Sequence, residues 1–133
     1  MNNCQSSMPL SLPIMTIDMR KKRIRLYKYT LRLLDNPEYV QFLVNPSEHV
    51  FAVKSCAATG ISAQKIYWTL LNGNGKCCEF YSKNLIETIQ RQFFCEPDEH
   101  TYRVIGEYND RKKAVIFDLK QSEPIAYEPE AVG

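Results

Sequence analysis

"KRIRLYKYTLRLLDNPEYVQFLVNPSEHVFAVKS", residues 22–55, contains a clear succession of secondary-structure signals. Ile24 and Leu26 alternate with basic and aromatic side chains, the period of two that is typical of a strand with one buried face. The apolar spacing then lengthens to three, which predicts a short helix that ends before Pro37. Runs rich in β-branched and aromatic residues follow on either side of the turn-forming "NPSE", and they predict a β-hairpin. The stretch is therefore read as a βαββ unit.

The second half of the chain repeats this order of elements. "CCEFYSKNLIETIQRQF", residues 77–93, predicts a strand and then a helix that Ser82 caps. "TYRVIGEY" and "KAVIFDLK" flank "NDRK" and predict a second hairpin over residues 101–120. Between the halves, "KIYWTLL" favours a strand closed by the turn "NGNG", which predicts a hairpin over residues 66–81. We therefore expect two βαββ pseudo-repeats, at about 15–56 and 64–120.

These elements predict the α+β class, with both pseudo-repeats in one mostly antiparallel sheet and two helices on one face. The opposite face of such a sheet is left to water, a partner or a ligand. We expect a single domain over residues 14–121, which includes an additional strand at "IMTIDM". Residues 1–13 and 122–133 are polar and contain proline, which predicts a flexible N-terminus and a flexible C-terminal tail.

Composition limits the classes of function. The 133 residues include 17 Lys and Arg against 15 Asp and Glu, so the whole chain lacks the strong positive field of a protein that coats nucleic acid. The "MNNCQSSMPLSLPIM" start lacks the basic region of a signal peptide, and no apolar run approaches the roughly 18 residues that span a bilayer. We therefore predict a cytoplasmic protein that has no membrane partner, and any basic surface must be local.

The cysteines and histidines do not form a recognisable reactive or metal-binding motif. The five cysteines are odd in number and irregularly spaced, which does not indicate a disulfide framework, and His49 and His100 each stand alone. Neither histidine has a nucleophile placed beside it by spacing. "GNGK", residues 73–76, is shorter than a phosphate-binding loop and indicates a turn. We therefore expect no enzyme activity, no cofactor and no metal.

Two family resemblances follow from these elements. The duplicated order of strand, helix and hairpin over about residues 15–120 resembles the TATA-binding-protein-like fold, whose curved open face engages nucleic acid in some members. Residues 22–55, with a basic strand that leads to a short helix and a hairpin, resemble the βαββ half of AbrB/MazE-type transition-state regulators. This second resemblance implies that Arg23 and Arg25 lie on the strand that faces DNA.

The basic first strand carries the candidate site. In an extended strand three cations and an aromatic ring share one face, and two more cations follow on the helix. Such a strip could neutralise phosphates and stack a base on the aromatic ring. The alternative is that these cations protect an edge strand from aggregation. The candidate nucleic-acid-binding residues are Lys21, Arg23, Arg25, Tyr27, Lys28 and Arg32.

The sequence thus predicts a small binding module, regulator-like and nucleic-acid-binding through the basic strand. The alternative is a protein-interaction or homodimerisation module without catalytic activity, in which an exposed face pairs two copies. The aromatic anchors for that alternative are Tyr27, Tyr29, Tyr39, Tyr67 and Trp68.

Overall fold

The computed structural model describes residues 12–73, 75–93 and 100–125. Short strands dominate this part of the chain, and a 3₁₀ turn follows each of β3 and β9. In chain order, the elements are β1 (Ile14–Asp18), β2 (Arg23–Tyr27), α1 (Lys28–Leu33), β3 (Tyr39–Asn45), β4 (Val50–Ser55), β5 (Gln64–Lys65), α2 (Trp68–Asn72), β6 (Cys77–Tyr81), α3 (Lys83–Phe93), β7 (Thr101–Ile105), β8 (Glu107–Asn109), β9 (Ala114–Asp118) and β10 (Glu123–Ile125).

The strands form two five-stranded antiparallel sheets. Sheet A has the order β10-β7-β1-β2-β6, and sheet B has the order β5-β3-β4-β9-β8. In each sheet one face, here called the inner face, contributes to the core, and the other is called the outer face. Met15 lies opposite Leu26 on the inner face of sheet A, and Phe51 lies opposite Phe117 on that of sheet B. All four side chains are fully buried, as the alternation of apolar residues requires.

Both inner faces pack into one hydrophobic core. The ring of Phe42 from sheet B meets the ring of Phe80 from sheet A edge to face, with centroids 5.1 Å apart. Helix α3 adds Ile86 and Ile89, which are fully buried. The Leu85 N–H donates to the Ser82 Oγ at 3.2 Å, so the predicted cap of α3 is confirmed.

The α+β class is confirmed, but the prediction of a single sheet is wrong, because the strands form two five-stranded sheets. The predicted hairpin over residues 101–120 is divided at Gly106, where the chain leaves β7 in sheet A and enters β8 in sheet B. A Cβ at Gly106 would lie 2.7 Å from Cε1 of Phe117. The absence of a side chain therefore allows the backbone to cross above a core ring.

The predicted hairpin over residues 66–81 is also wrong. Residues 68–72 form α2, while β5 pairs with β3 and β6 pairs with β2. The Trp68 indole N–H donates to the Pro37 carbonyl oxygen at 2.7 Å, and Leu71 is buried. Contacts with distant residues therefore override the strand propensity of this segment.

The ordered domain is longer at both ends than the sequence predicts. Strand β10 pairs with β7, so residues 123–125 are not a flexible tail. Pro13 is buried, and its carbonyl accepts a hydrogen bond from the Gly106 N–H at 2.8 Å. The remaining residues of the two predicted flexible segments, 1–11 and 126–133, lie outside the described residues.

Candidate protein-interaction edge

The outer face of sheet A carries the two arginines of the basic strand. Arg25 donates from Nε to Glu79 Oε2 at 2.8 Å, and its Nη2 lies 2.6 Å from the same oxygen. Arg23 pairs with Asp18 at 3.4 Å and with Glu79 at 3.5 Å. The two arginines are only 5% and 6% exposed. Their charges are therefore compensated by carboxylates of neighbouring strands.

Glu79 is the acceptor that both arginines share. Partial burial raises its pKa, but the hydrogen bond from Arg25 and the charges of Arg25 and Arg23 outweigh burial and hold the pKa below its usual value. The Tyr81 hydroxyl also donates to Glu79 Oε1, at 3.2 Å. Glu79 is therefore held as a carboxylate that joins β6 to β2, its neighbour in sheet A.

The structure does not bring the six candidate nucleic-acid-binding residues together. Lys21 is exposed in the turn before β2, whereas Lys28 and Arg32 lie beyond the other end of β2, on α1. Tyr27 is half-buried at the start of that helix. Because β2 lies between β1 and β6, it is neither an open strip nor the edge strand of the alternative interpretation. Nucleic-acid binding by these residues stays a prediction.

Strand β6 has an unoccupied side among the described strands, because sheet A ends with it. The Ser82 N–H donates to the Lys22 carbonyl, and Phe80 lies opposite Ile24. In an antiparallel ladder the residues between such pairs direct their N–H and C=O groups to the opposite side. The backbone groups of Glu79 and Tyr81 therefore point away from β2, towards the open side of the strand.

Three large apolar side chains flank this open side. A groove of about 260 Å³ runs between β6 and α2, and Tyr67, Leu70 and Tyr81 line it. These side chains are 59%, 70% and 64% exposed. The Lys65 ammonium lies 5.6 Å from the centre of the Tyr67 ring, at the side of the same groove. We call this combination of open strand and groove the edge groove.

Sequence reasoning found part of the edge groove. Tyr67 is one of the predicted aromatic anchors, but Trp68 is turned towards Pro37, and Tyr27, Tyr29 and Tyr39 are half-buried. The sequence places Leu70 in a predicted strand, and Tyr81 is not among the predicted anchors. The alternation of Tyr81 with the buried Phe80 predicts that the Tyr81 side chain is exposed. It does not predict that β6 ends the sheet.

The two histidines lie beside aromatic rings. The His49 ring lies 5.2 Å from that of Phe93, and the His100 ring lies 6.3 Å from that of Tyr102. Burial raises the pKa of the Cys78 thiol, which a hydrogen bond with the Tyr67 backbone only partly offsets. Within residues 12–73, 75–93 and 100–125, no three His, Cys, Asp or Glu side chains are grouped to hold a metal ion. Cys4, Cys95 and most of "EPDEH" lie outside these ranges.

Every helix in the described part of the chain falls short of the length and apolar character that a membrane-crossing helix needs. Comparisons of the chain with protein-family models, with curated proteins and with solved structures give no match.

Proposed function

We propose that this protein is a protein-interaction module that acts by binding, and that its edge groove pairs with the edge groove of a second copy. The observation that carries the proposal is the open side of β6 beside three exposed apolar side chains. Such an edge presents both hydrogen-bond donors and acceptors, so it is a ready template for another strand.

A second copy suits this edge because an antiparallel strand pair can be symmetric. Two β6 strands related by a two-fold axis give the same residues to both sides of the interface. When Phe80 lies on that axis, Glu79 faces Tyr81 of the partner copy, which avoids placing two carboxylates opposite each other. The Tyr81 hydroxyl, which already donates to Glu79 within one chain, has an acceptor in both arrangements.

The same pairing covers apolar surface. Leu70 lies on α2, and Tyr67 directly precedes this helix. Both side chains line the groove beside the strand that the second copy adds. Exposed aromatic and aliphatic side chains around a strand edge contribute to association when a partner removes them from water. Backbone hydrogen bonds then fix the register, and the apolar side chains supply most of the affinity.

Light scattering over the micromolar concentration range tests the proposal. We expect the wild-type protein to approach twice the 15.5 kDa mass of one chain. We expect Tyr81→Lys to remain monomeric, because a lysine on a strand edge opposes edge-to-edge pairing. The double variant Tyr67→Ser, Leu70→Ser is expected to dissociate at higher concentration than the wild type.

The matched control is Ile61→Ser, which removes an apolar side chain that is 84% exposed but does not line the edge groove. Its mass should equal that of the wild type, and circular dichroism should show that every variant is folded. A monomeric mass for the wild type at all concentrations, or a dimer that Tyr81→Lys leaves intact, would sink the proposal.

We also infer that the chain consists of two related halves. β2, α1 and the β3–β4 hairpin have the same order as β6, α3 and the β8–β9 hairpin. In addition, β2 pairs antiparallel with β6, and β4 pairs antiparallel with β9, which is the pairing that a two-fold relation between halves produces. The test is a superposition of the halves in an experimental structure, where α1 should fall on α3 and each hairpin on the other. Helices that fall on unrelated elements would contradict the duplication.

A further inference from the structure

We propose a second binding site, for an acidic peptide segment with an aliphatic or aromatic anchor, on the outer face of sheet B. This inference goes beyond the proposed self-association and does not depend on it, because the two grooves share no lining residue. The site is a groove of about 520 Å³, which we call the cationic groove.

The floor of the cationic groove is aliphatic. The strand register places Leu43, Ala52 and Ile116 in one row across three neighbouring strands. Val50 and Ala114 lie beside this row and also line the groove. The two small alanine side chains leave depth between larger neighbours. Leu43, at the side of the groove, is 47% exposed, so an apolar side chain seated there removes water from existing apolar surface.

Three cations stand at one end of the groove. Lys54 lies opposite Ala114 in the strand ladder, and Arg111 and Lys112 project from the turn between β8 and β9. The Lys112 N–H donates to the Asn109 Oδ1 at 2.9 Å, which holds this turn in place.

These cations differ from the arginines of sheet A and from Lys113, their neighbour in the turn. Arg23, Arg25 and Arg103 have carboxylate partners, and Lys113 pairs with Asp110 at 3.4 Å. Among residues 12–73, 75–93 and 100–125, no carboxylate lies within ion-pair distance of the three cations that line the cationic groove. Glu48 lines the opposite end, so the groove presents positive charge at one end and a single carboxylate at the other.

This combination favours an acidic peptide over nucleic acid. The groove residues include no aromatic ring on which a base could stack, and Glu48 would repel a phosphate backbone that ran along the whole groove. A peptide with acidic side chains at one end and one apolar anchor matches both the charge and the floor. The anchor would lie over the two alanines, and the carboxylates would meet Lys54, Arg111 and Lys112.

Fluorescence anisotropy tests the site with a fluorescein-labelled synthetic peptide in which one leucine follows a run of aspartate and glutamate. We expect binding at low salt that weakens as salt rises. Arg111→Glu combined with Lys112→Glu should weaken binding by about tenfold or more, since charge pairs across an interface are replaced by repulsion. Leu43→Ser should weaken it several-fold, which separates the apolar floor from a purely electrostatic attraction.

The controls are Lys83→Glu, an exposed cation on α3 that should leave binding unchanged, and a peptide with lysine in place of its acidic residues, which should not bind. Single-stranded and duplex oligonucleotides are titrated in parallel. Three results would overturn the proposal: no peptide binding at low salt, peptide binding that is unaffected by both groove variants, or tighter binding of an oligonucleotide through the same cations.

Discussion

At the scale of single residues, the identity of a side chain did not determine its exposure. Arg23 and Arg25 are buried because Asp18 and Glu79 compensate their charges, and a buried arginine without such partners would be strongly destabilising. Asp18 is five residues from Arg23, but Glu79 is separated from Arg25 by 54 positions. Local sequence therefore predicted the face on which the arginines lie, but it did not predict the carboxylate that neutralises them.

Replacing Glu79 by Gln should lower the free energy of unfolding at neutral pH by about 2 kcal/mol, because it removes the carboxylate that compensates the buried Arg25. The loss stays below the range for a fully buried pair because the Glu79 side chain is 35% exposed, so water screens it. Urea unfolding of both proteins, at concentrations where they are monomeric, measures the difference. The control Glu123→Gln, which breaks an exposed pair with Arg103, should change stability by less than about 0.5 kcal/mol.

The effect of Glu79→Gln should also depend on pH. Because the folded protein holds the pKa of Glu79 below its usual value, the carboxylate contributes stability above the unfolded pKa of about 4.3. That contribution is lost as the pH falls through the lower folded pKa. The difference between wild type and variant should therefore shrink in acid, and an equal difference at neutral and strongly acidic pH would show that the ion pairs are not its source.

At the scale of elements, segments with strong local signals have the predicted structure. β3 and β4 form the hairpin around "NPSE", where the Asn45 Oδ1 accepts from the Glu48 N–H at 3.3 Å. Helix α1 ends before Asp35 and Asn36, whose positive φ angles of 66° and 50° turn the chain towards Pro37. Caps and turns are built from adjacent residues, so the sequence contains the information that they need. The segments around Gly106 and Trp68 depend on distant partners instead.

Gly106→Ala should destabilise the protein by about 1–3 kcal/mol, the usual range for an overpacked core. The added Cβ would lie 2.7 Å from Cε1 of Phe117 and 2.9 Å from Cγ1 of Val115, and Phe117 is fully buried. Thermal or urea unfolding measures the loss. In a Phe117→Leu background the same substitution should cost less, because the ring that it meets is gone.

Gly73→Ala is the matched control for this prediction. A Cβ at Gly73 would meet the Thr69 carbonyl oxygen at 3.5 Å, which is an ordinary contact, and Gly73 is exposed at the end of α2. Its effect should stay within about 0.5 kcal/mol. If Gly106→Ala proved as mild as Gly73→Ala, or equally costly with and without the Phe117 ring, the close approach of the two sheets at Gly106 would not be what requires glycine.

At the scale of the whole molecule, the two proposed binding surfaces arise from the way in which the sheets are assembled. β6 presents an open side because it ends sheet A, and the cationic groove exists because β4 and β9 pair and bring Lys54 beside Ala114. The pairing of β6 with β2 and the pairing of β9 with β4 each join the second half of the chain to the first. Neither surface follows from one half alone. The basic strand β2 is the most conspicuous charge cluster in the sequence, but it lies between β1 and β6 and is not the most exposed surface of the fold.

The amino-acid sequence alone is enough to predict the α+β class, the alternation that separates inner from outer faces, and the elements β2, α1, β3, β4, β6 and α3. These features depend on the period of apolar residues and on caps and turns, which act over a few neighbouring positions. Three features are visible only in the folded molecule: the strands form two sheets, the chain passes from β7 in sheet A to β8 in sheet B at Gly106, and carboxylates compensate Arg23 and Arg25. The physical reason is that strand partners and ion-pair partners are chosen by packing the whole core, between residues that lie far apart in the chain.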